Sequence, residues 1–88
     1  MPRYLKDPSA RLDYAVDWTA WLQDGDSIAT SEWLTGDLTP TEPRLIGATA
    51  TVWLSGGVLG VTYRITNRIT TAAGRTDERT LRLLITER

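Results

Sequence analysis

The chain holds 88 residues, 41% hydrophobic and 24% charged, with a formal net charge of −1; at 9.8 kDa it can bury about 64% of its unfolded surface, one modest core in one domain. Neither Cys nor His occurs, which excludes disulfides, thiolate metal sites and cysteine nucleophiles and removes the commonest general base and transition-metal ligand. The charge balance argues against nucleic acid as the main partner, and no apolar run is long enough for a membrane-spanning helix.

Residues 1–10 carry Pro2 and Pro8 around Arg3, Tyr4, Leu5 and Lys6. Proline fixes φ and removes an amide donor, so this segment is expected to be extended. Two readings stand side by side: a frayed terminus, or an arm whose Tyr4 and Leu5 bury only against a partner. From Arg11 the pattern changes. Leu12, Tyr14, Val16 and Trp18 alternate with Asp13, Ala15 and Asp17, the period of a half-buried strand. Trp21 and Leu22 are expected to continue past a bulge where the strand bends.

Gln23-Asp24-Gly25-Asp26-Ser27 reads as a turn, and Ile28 to Leu34 as the next strand. Ile28 and Trp33 have opposite parities, so a one-residue bulge near Thr30-Ser31 is needed to turn both toward the core. Thr35 to Gly47 holds two prolines and two glycines and reads as a connection pinned by Leu38, Leu45 and Ile46, with room for a short edge strand. In Ala48 to Ser55, Ala50, Val52 and Leu54 face one way and Thr49, Thr51 and Trp53 the other. A glycine-rich turn, Ser55 to Gly60, follows.

Val61 to Thr71 is the longest clean strand, with Val61, Tyr63, Ile65, Asn67 and Ile69 on one face. Ala72-Ala73-Gly74-Arg75 closes a hairpin, and Glu78 to Thr86 returns with Leu81, Leu83 and Ile85 inward. Threonine occurs fourteen times, mostly at outward strand positions, where β-branching suits the pleat. The pattern predicts an all-β chain: an extended N-terminal arm over residues 1–10 and a small immunoglobulin-like β-sandwich over residues 11–88.

Little in this pattern handles protons or metals. Asp24 and Asp26 flank Gly25, as a calcium loop would want, but the spaced acidic run and late Glu of such a loop are missing, and a turn explains them. Asp13 and Asp17 lie about 13 Å apart along a strand, too far to share a proton. Serines and threonines have no partner base. No catalytic, cofactor-binding or metal-binding residue is assigned, and no cofactor is expected. Arg64 and Arg68 share a strand face, and Arg79 and Arg82 sit on the returning strand; they either form a basic patch for phosphate or an acidic partner or pair across strands with Glu78 and Glu87. Trp53 is an exposed anchor if Val52 and Leu54 point inward; the other reading covers both faces of that strand. Tyr4, Leu5, Trp53, Arg64 and Arg68 are therefore the candidate partner contacts.

Lys6-Asp7-Pro8, Leu12-Asp13-Tyr14-x-Val16-Asp17-Trp18, Trp21-Leu22-x-Asp24-Gly25-Asp26-x-Ile28 and Trp33, with Trp53-Leu54-Ser55-Gly56-Gly57-x-x-Gly60-x-x-Tyr63-x-x-Thr66-Asn67-x-Ile69-Thr70-Thr71 and Gly74-Arg75-Thr76-x-Glu78-Arg79, resemble small structural proteins of tailed bacteriophages. The likeness is to the short tail-associated adaptors that attach fibres or neighbouring components to the tail, and it runs from Lys6 to the end. The second half is also similar to a generic immunoglobulin-like repeat of bacterial surface proteins. The phage resemblance implies a non-enzymatic virion protein joining tail, neck or baseplate components to fibres or neighbouring subunits. It implies several copies in a ring, with other virion proteins as partners and neither nucleic acid nor membrane. It further implies a place in the tail or neck region of the virion, after assembly in the host cytoplasm. The alternative is an immunoglobulin-like binding or adhesion module recognising carbohydrate or protein, with Trp53 and Tyr63 as its stacking platform.

Overall fold

A computed structural model describes residues 3–87. Among them lie seven strands and no helix: β1 (Arg3–Lys6), β2 (Leu12–Asp17), β3 (Ile28–Leu34), β4 (Thr39–Ile46), β5 (Thr49–Ser55), β6 (Thr62–Thr71) and β7 (Thr76–Ile85). They form a four-stranded sheet in the order β1-β7-β6-β3 and a three-stranded sheet in the order β2-β5-β4. The chain is therefore all-β and sandwich-like. Its strand order is compatible with the immunoglobulin arrangement, whose second, fifth and fourth strands share one sheet and whose third, sixth and seventh share the other.

The alternations read from the sequence set the faces. Ala50, Val52 and Leu54 on β5, Ile65, Asn67 and Ile69 on β6, and Leu81, Leu83 and Ile85 on β7 are all buried. Leu38, Val52, Leu54, Ile65, Leu81, Leu83 and Ile85 make one cluster between the sheets, and Val16, Trp18, Ile28 and Ile69 a second; Trp33 packs against both. The bulge needed on β3 is present as a register shift between Ile28 and Thr30 against β6.

Three segments differ from the sequence reading. Residues 39–46 form a full edge strand rather than a loop with a short strand in it. Pro40 and Pro43 fit there because β4 pairs only with β5, and its register shifts between Thr41 and Arg44, where Glu42 takes a φ of 49°; an edge with a bulge is where a strand tolerates proline. Trp21 and Leu22 do not continue β2. Their amides both donate to Trp18 O at 3.0 Å, closing a turn. The N-terminal segment is extended, and residues 3–6 are the edge strand β1, parallel to β7 with Arg3 opposite Arg82 and Lys6 opposite Ile85. Met1 and Pro2 of the expected arm lie outside the described residues.

A buried polar node closes the second cluster. Trp18, fully buried, donates its indole Nε1 to Asn67 Oδ1 at 2.9 Å, and Asn67 Nδ2 donates to Ser31 Oγ at 2.9 Å and to Glu32 O at 3.1 Å. Buried amides are tolerated when their hydrogen-bonding groups are met in this way. The Arg79 guanidinium lies 4.5 Å from the Trp18 ring centroid and donates to Asp17 O at 3.0 Å.

The β5–β6 connection is fixed by two contacts. Gly57 has a φ of 108°, and a Cβ there would stand 2.6 Å from Ile85 Cδ1 and 2.8 Å from its Cγ1, so no side chain fits. Tyr63, near the start of β6, accepts from the Val58 amide at 3.0 Å, the arrangement of the tyrosine corner of immunoglobulin-like sandwiches. Gly57→Ala is expected to destabilise by about 1–3 kcal/mol through overpacking and φ strain. Asn67→Ala is expected to cost about 1–3 kcal/mol by leaving the Trp18 indole unpartnered. Urea denaturation followed by tryptophan fluorescence measures both, with Thr62→Ser as a neutral control.

Candidate functional site

The residues singled out as partner contacts are distributed over both faces of the sandwich. Tyr4 lies opposite Leu83, whose side chain is buried, and meets Tyr14 edge-on at 5.7 Å between ring centroids; it is tied to the body of the fold while staying 42% exposed. Leu5 alternates to the outer face of the four-stranded sheet, opposite Leu84. Arg64 and Arg68 point out from that same face, since the intervening Ile65, Asn67 and Ile69 are buried. Trp53 lies on the outer face of the other sheet.

Trp53 is partly covered by its own chain. The Arg11 guanidinium sits 4.5 Å from its ring centroid, a cation–π distance. Arg11 is held there by Glu42 Oε2 at 2.6 Å and Thr41 Oγ1 at 3.1 Å. Trp53 and Tyr63 belong to different sheets, and Tyr63 packs against the core with its hydroxyl engaged. The fold does not bring them together as a stacking platform.

On the outer face of the four-stranded sheet the register sets residues in rows across the strands. Leu5, Leu84 and Thr62 form one row; Arg3, Arg82 and Arg64 the next. Thr80, Thr66 and Leu34 follow, with the two threonine hydroxyls 3.0 Å apart, and then Glu78, Arg68 and Glu32. Arg68 is ion-paired to Glu78 on one side and to Glu32 Oε1 at 3.2 Å on the other. The hydrogen bond and charge of Glu78, then those of Glu32, hold its pKa above the ordinary value. All three side chains are about half exposed, so the triad contributes little to stability.

The sequence reading gave Val58 and Leu59 in the loop between β5 and β6 no role and put Val61 on the strand face of Ile65 and Ile69, whereas β6 begins at Thr62. Val58, Leu59 and Val61 are 62%, 53% and 40% exposed, three apolar side chains at the end of the sandwich where β6 begins. The available signal was apolar residues inside a glycine-rich turn, where solvation favours polar ones. Arg3 was also missed, because only the strand register makes it a neighbour of Arg82 and Arg64.

Among the described residues no group of three or more His, Cys, Asp or Glu could hold a metal ion. Asp26 instead bonds backbone: its Oδ1 accepts from the Ser27 amide at 2.9 Å and the Ala73 amide at 3.1 Å, tying the β2–β3 connection to the β6–β7 hairpin. Desolvation opposes ionisation of Asp26, but hydrogen bonds from Thr71, Ser27 and Ala73 and the charge of Arg75 outweigh it and lower the pKa. Asp17 is lowered by its side-chain and amide bonds from Thr19, with Arg79 assisting. Both folded pKa values lie below the ordinary 3.8. Their contribution is therefore complete above the unfolded pKa of about 4 and is lost as pH falls through the lower folded values. Thermal midpoints are expected to hold from neutral pH to about 5 and fall below about 4, and Asp26→Asn is expected to flatten that acid limb. Scanning calorimetry across pH measures it.

A search of curated proteins returns no significant match. A scan against protein families matches residues 6–84 to the family described as podophage GP4 fiber-tail adaptor protein gp77. That span runs from the last residue of β1 into β7 and takes in both sheets. On this match over most of its length, the chain belongs to the podophage fibre-tail adaptor family, whose members are structural proteins of the phage tail.

Proposed function

We propose that the chain is a non-enzymatic adaptor of the virion that joins tail, neck or baseplate components to fibres or neighbouring subunits, in several copies arranged as a ring. The observation that carries this reading is the family match over residues 6–84. The surface adds a physical means. Val58 and Leu59 at the loop tip, with Leu5 and Tyr4 on the edge strand β1, are exposed apolar groups able to bury against a neighbour. Interfaces gain most from a few such anchors rather than from the whole contact area. Partners on this reading are other virion proteins, met during assembly in the host cytoplasm.

The test is reconstitution. Particles assembled without this chain are incubated with purified protein and then with fibres, and fibre attachment is scored by electron microscopy. Attachment is expected only when the protein is added. The pair Val58→Ser and Leu59→Ser is expected to reduce attachment several-fold while leaving the thermal midpoint unchanged, because both side chains are more than half exposed. Specific sugar binding by the isolated domain on a glycan array, without particle binding, would instead support the adhesion-module reading.

A further inference from the structure

Among the described residues the arginines divide into two groups. Arg11, Arg44 and Arg68 are ion-paired, and Arg75 and Arg79 stack on Trp21 and Trp18. Arg3, Arg82 and Arg64 make no ion pair or ring contact among the described residues. These three occupy directly opposed positions on β1, β7 and β6, so the unpaired cations form one row about 10 Å long at the usual strand spacing. Like charges directly opposite one another destabilise a sheet. Folding alone gives no reason for the row, whereas the neighbouring Glu78-Arg68-Glu32 row shows how the same face neutralises an arginine when stability is the only demand.

We infer that the Arg3-Arg82-Arg64 row is a docking site for an acidic surface of a neighbouring protein, with carboxylates set about 5 Å apart to meet the three guanidinium groups. The surroundings favour protein over nucleic acid. Leu5 and Leu34, both 44% exposed, and half-buried Leu84 flank the row, apolar neighbours that a phosphate backbone does not use, and the chain as a whole carries a charge of −1. A second copy of the chain is a poor match. Among its strand carboxylates Glu32 and Glu78 are engaged by Arg68, Glu42 by Arg11, Asp17 by Thr19 and Asp77 by the Glu78 amide, which leaves Asp13 on β2 alone where the row needs carboxylates side by side. The inference rests on the adaptor reading for its setting, and it assigns the contact that sets the orientation and salt dependence of docking.

Two measurements separate this inference from that reading. In the first, the isolated protein is titrated with poly-L-glutamate at low salt while the arginine Nε–H resonances are followed by NMR. Signals of Arg3, Arg64 and Arg82 are expected to move and that of Arg68 to stay, with the effect lost at high salt and in the double variant Arg64→Gln, Arg82→Gln. The same double variant is expected to unfold at an equal or higher temperature, which a structural role for these arginines would not give. Uniform shifts, no shifts, or stronger shifts with a DNA duplex than with poly-L-glutamate overturn the inference. In the second, binding to particles assembled without the chain is compared for wild type and for Arg64→Glu, Arg82→Glu. A loss of about tenfold or more in affinity is expected. Equal binding of the two overturns the inference and leaves the adaptor reading standing. Failure of the wild type to bind particles, with the poly-L-glutamate result positive, sinks the adaptor reading alone.

Discussion

The hydrogen bond from the Trp18 indole to Asn67 is the constraint on which the arrangement of the sandwich turns. Trp18 is the largest fully buried side chain, and burying it leaves one donor that must find an acceptor inside the core. Asn67 supplies that acceptor from the middle of β6, and its own amide donors are then met by Ser31 and Glu32 on β3. One side chain thereby fixes the end of β2 against the opposite sheet and sets the register of β3 on β6. A slip of one residue on β6 would place Asn67 on the solvent face and leave the indole unpaired, so the register is specified by polarity as well as by apolar pattern. The register in turn determines which outward residues share a row.

Alternation made most of the body legible. On β5 and over residues 63–69 of β6 every second residue is apolar or, at Asn67, buried and hydrogen-bonded, as are Leu81, Leu83 and Ile85 on β7, while the opposite parity is mostly threonine and arginine, with Trp53, Ser55, Glu78 and Leu84. The β3 bulge could be anticipated because Ile28 and Trp33 have incompatible parities and both are too apolar to leave outside. Elsewhere the signal was non-local. β4 carries two prolines that read as a loop, and only its position at an edge makes them compatible with a strand. β1 is four residues long and pairs in parallel with a strand near the other end of the chain, a contact that leaves no periodicity to detect. Trp21 and Leu22 turn back because the Trp18 carbonyl accepts both their amides, which no spacing announces.

The contact surface was legible only in part for the same reason. Exposure of Leu5 and Arg64 follows from parity, but the partners of each outward residue follow from register. Arg68 meets two carboxylates and Arg64 another arginine, although both are outward arginines on one strand. Trp53 was identifiable as outward from Val52 and Leu54, yet its cover comes from Arg11, more than forty positions away, held by the bulged segment of β4. Lys6 shows the same limit. It is fully buried, donates to Gly56 O at 2.6 Å and Asp7 O at 3.0 Å, and has its pKa lowered by desolvation, against the raising effect of Asp7. Nothing near it in sequence marks it as interior.

The interruption of β4 limits how such molecules can gather. A small all-β protein with an open sheet margin invites its copies to join margin to margin into an endless ribbon, the route to fibrils. Pro40 and Pro43 remove amides from that margin and the reversed backbone at Glu42 breaks its straight run, so a second molecule finds no continuous ladder to extend. Crowding on that side is therefore a poor start for insoluble polymer, and contact between molecules is left to other parts of the surface.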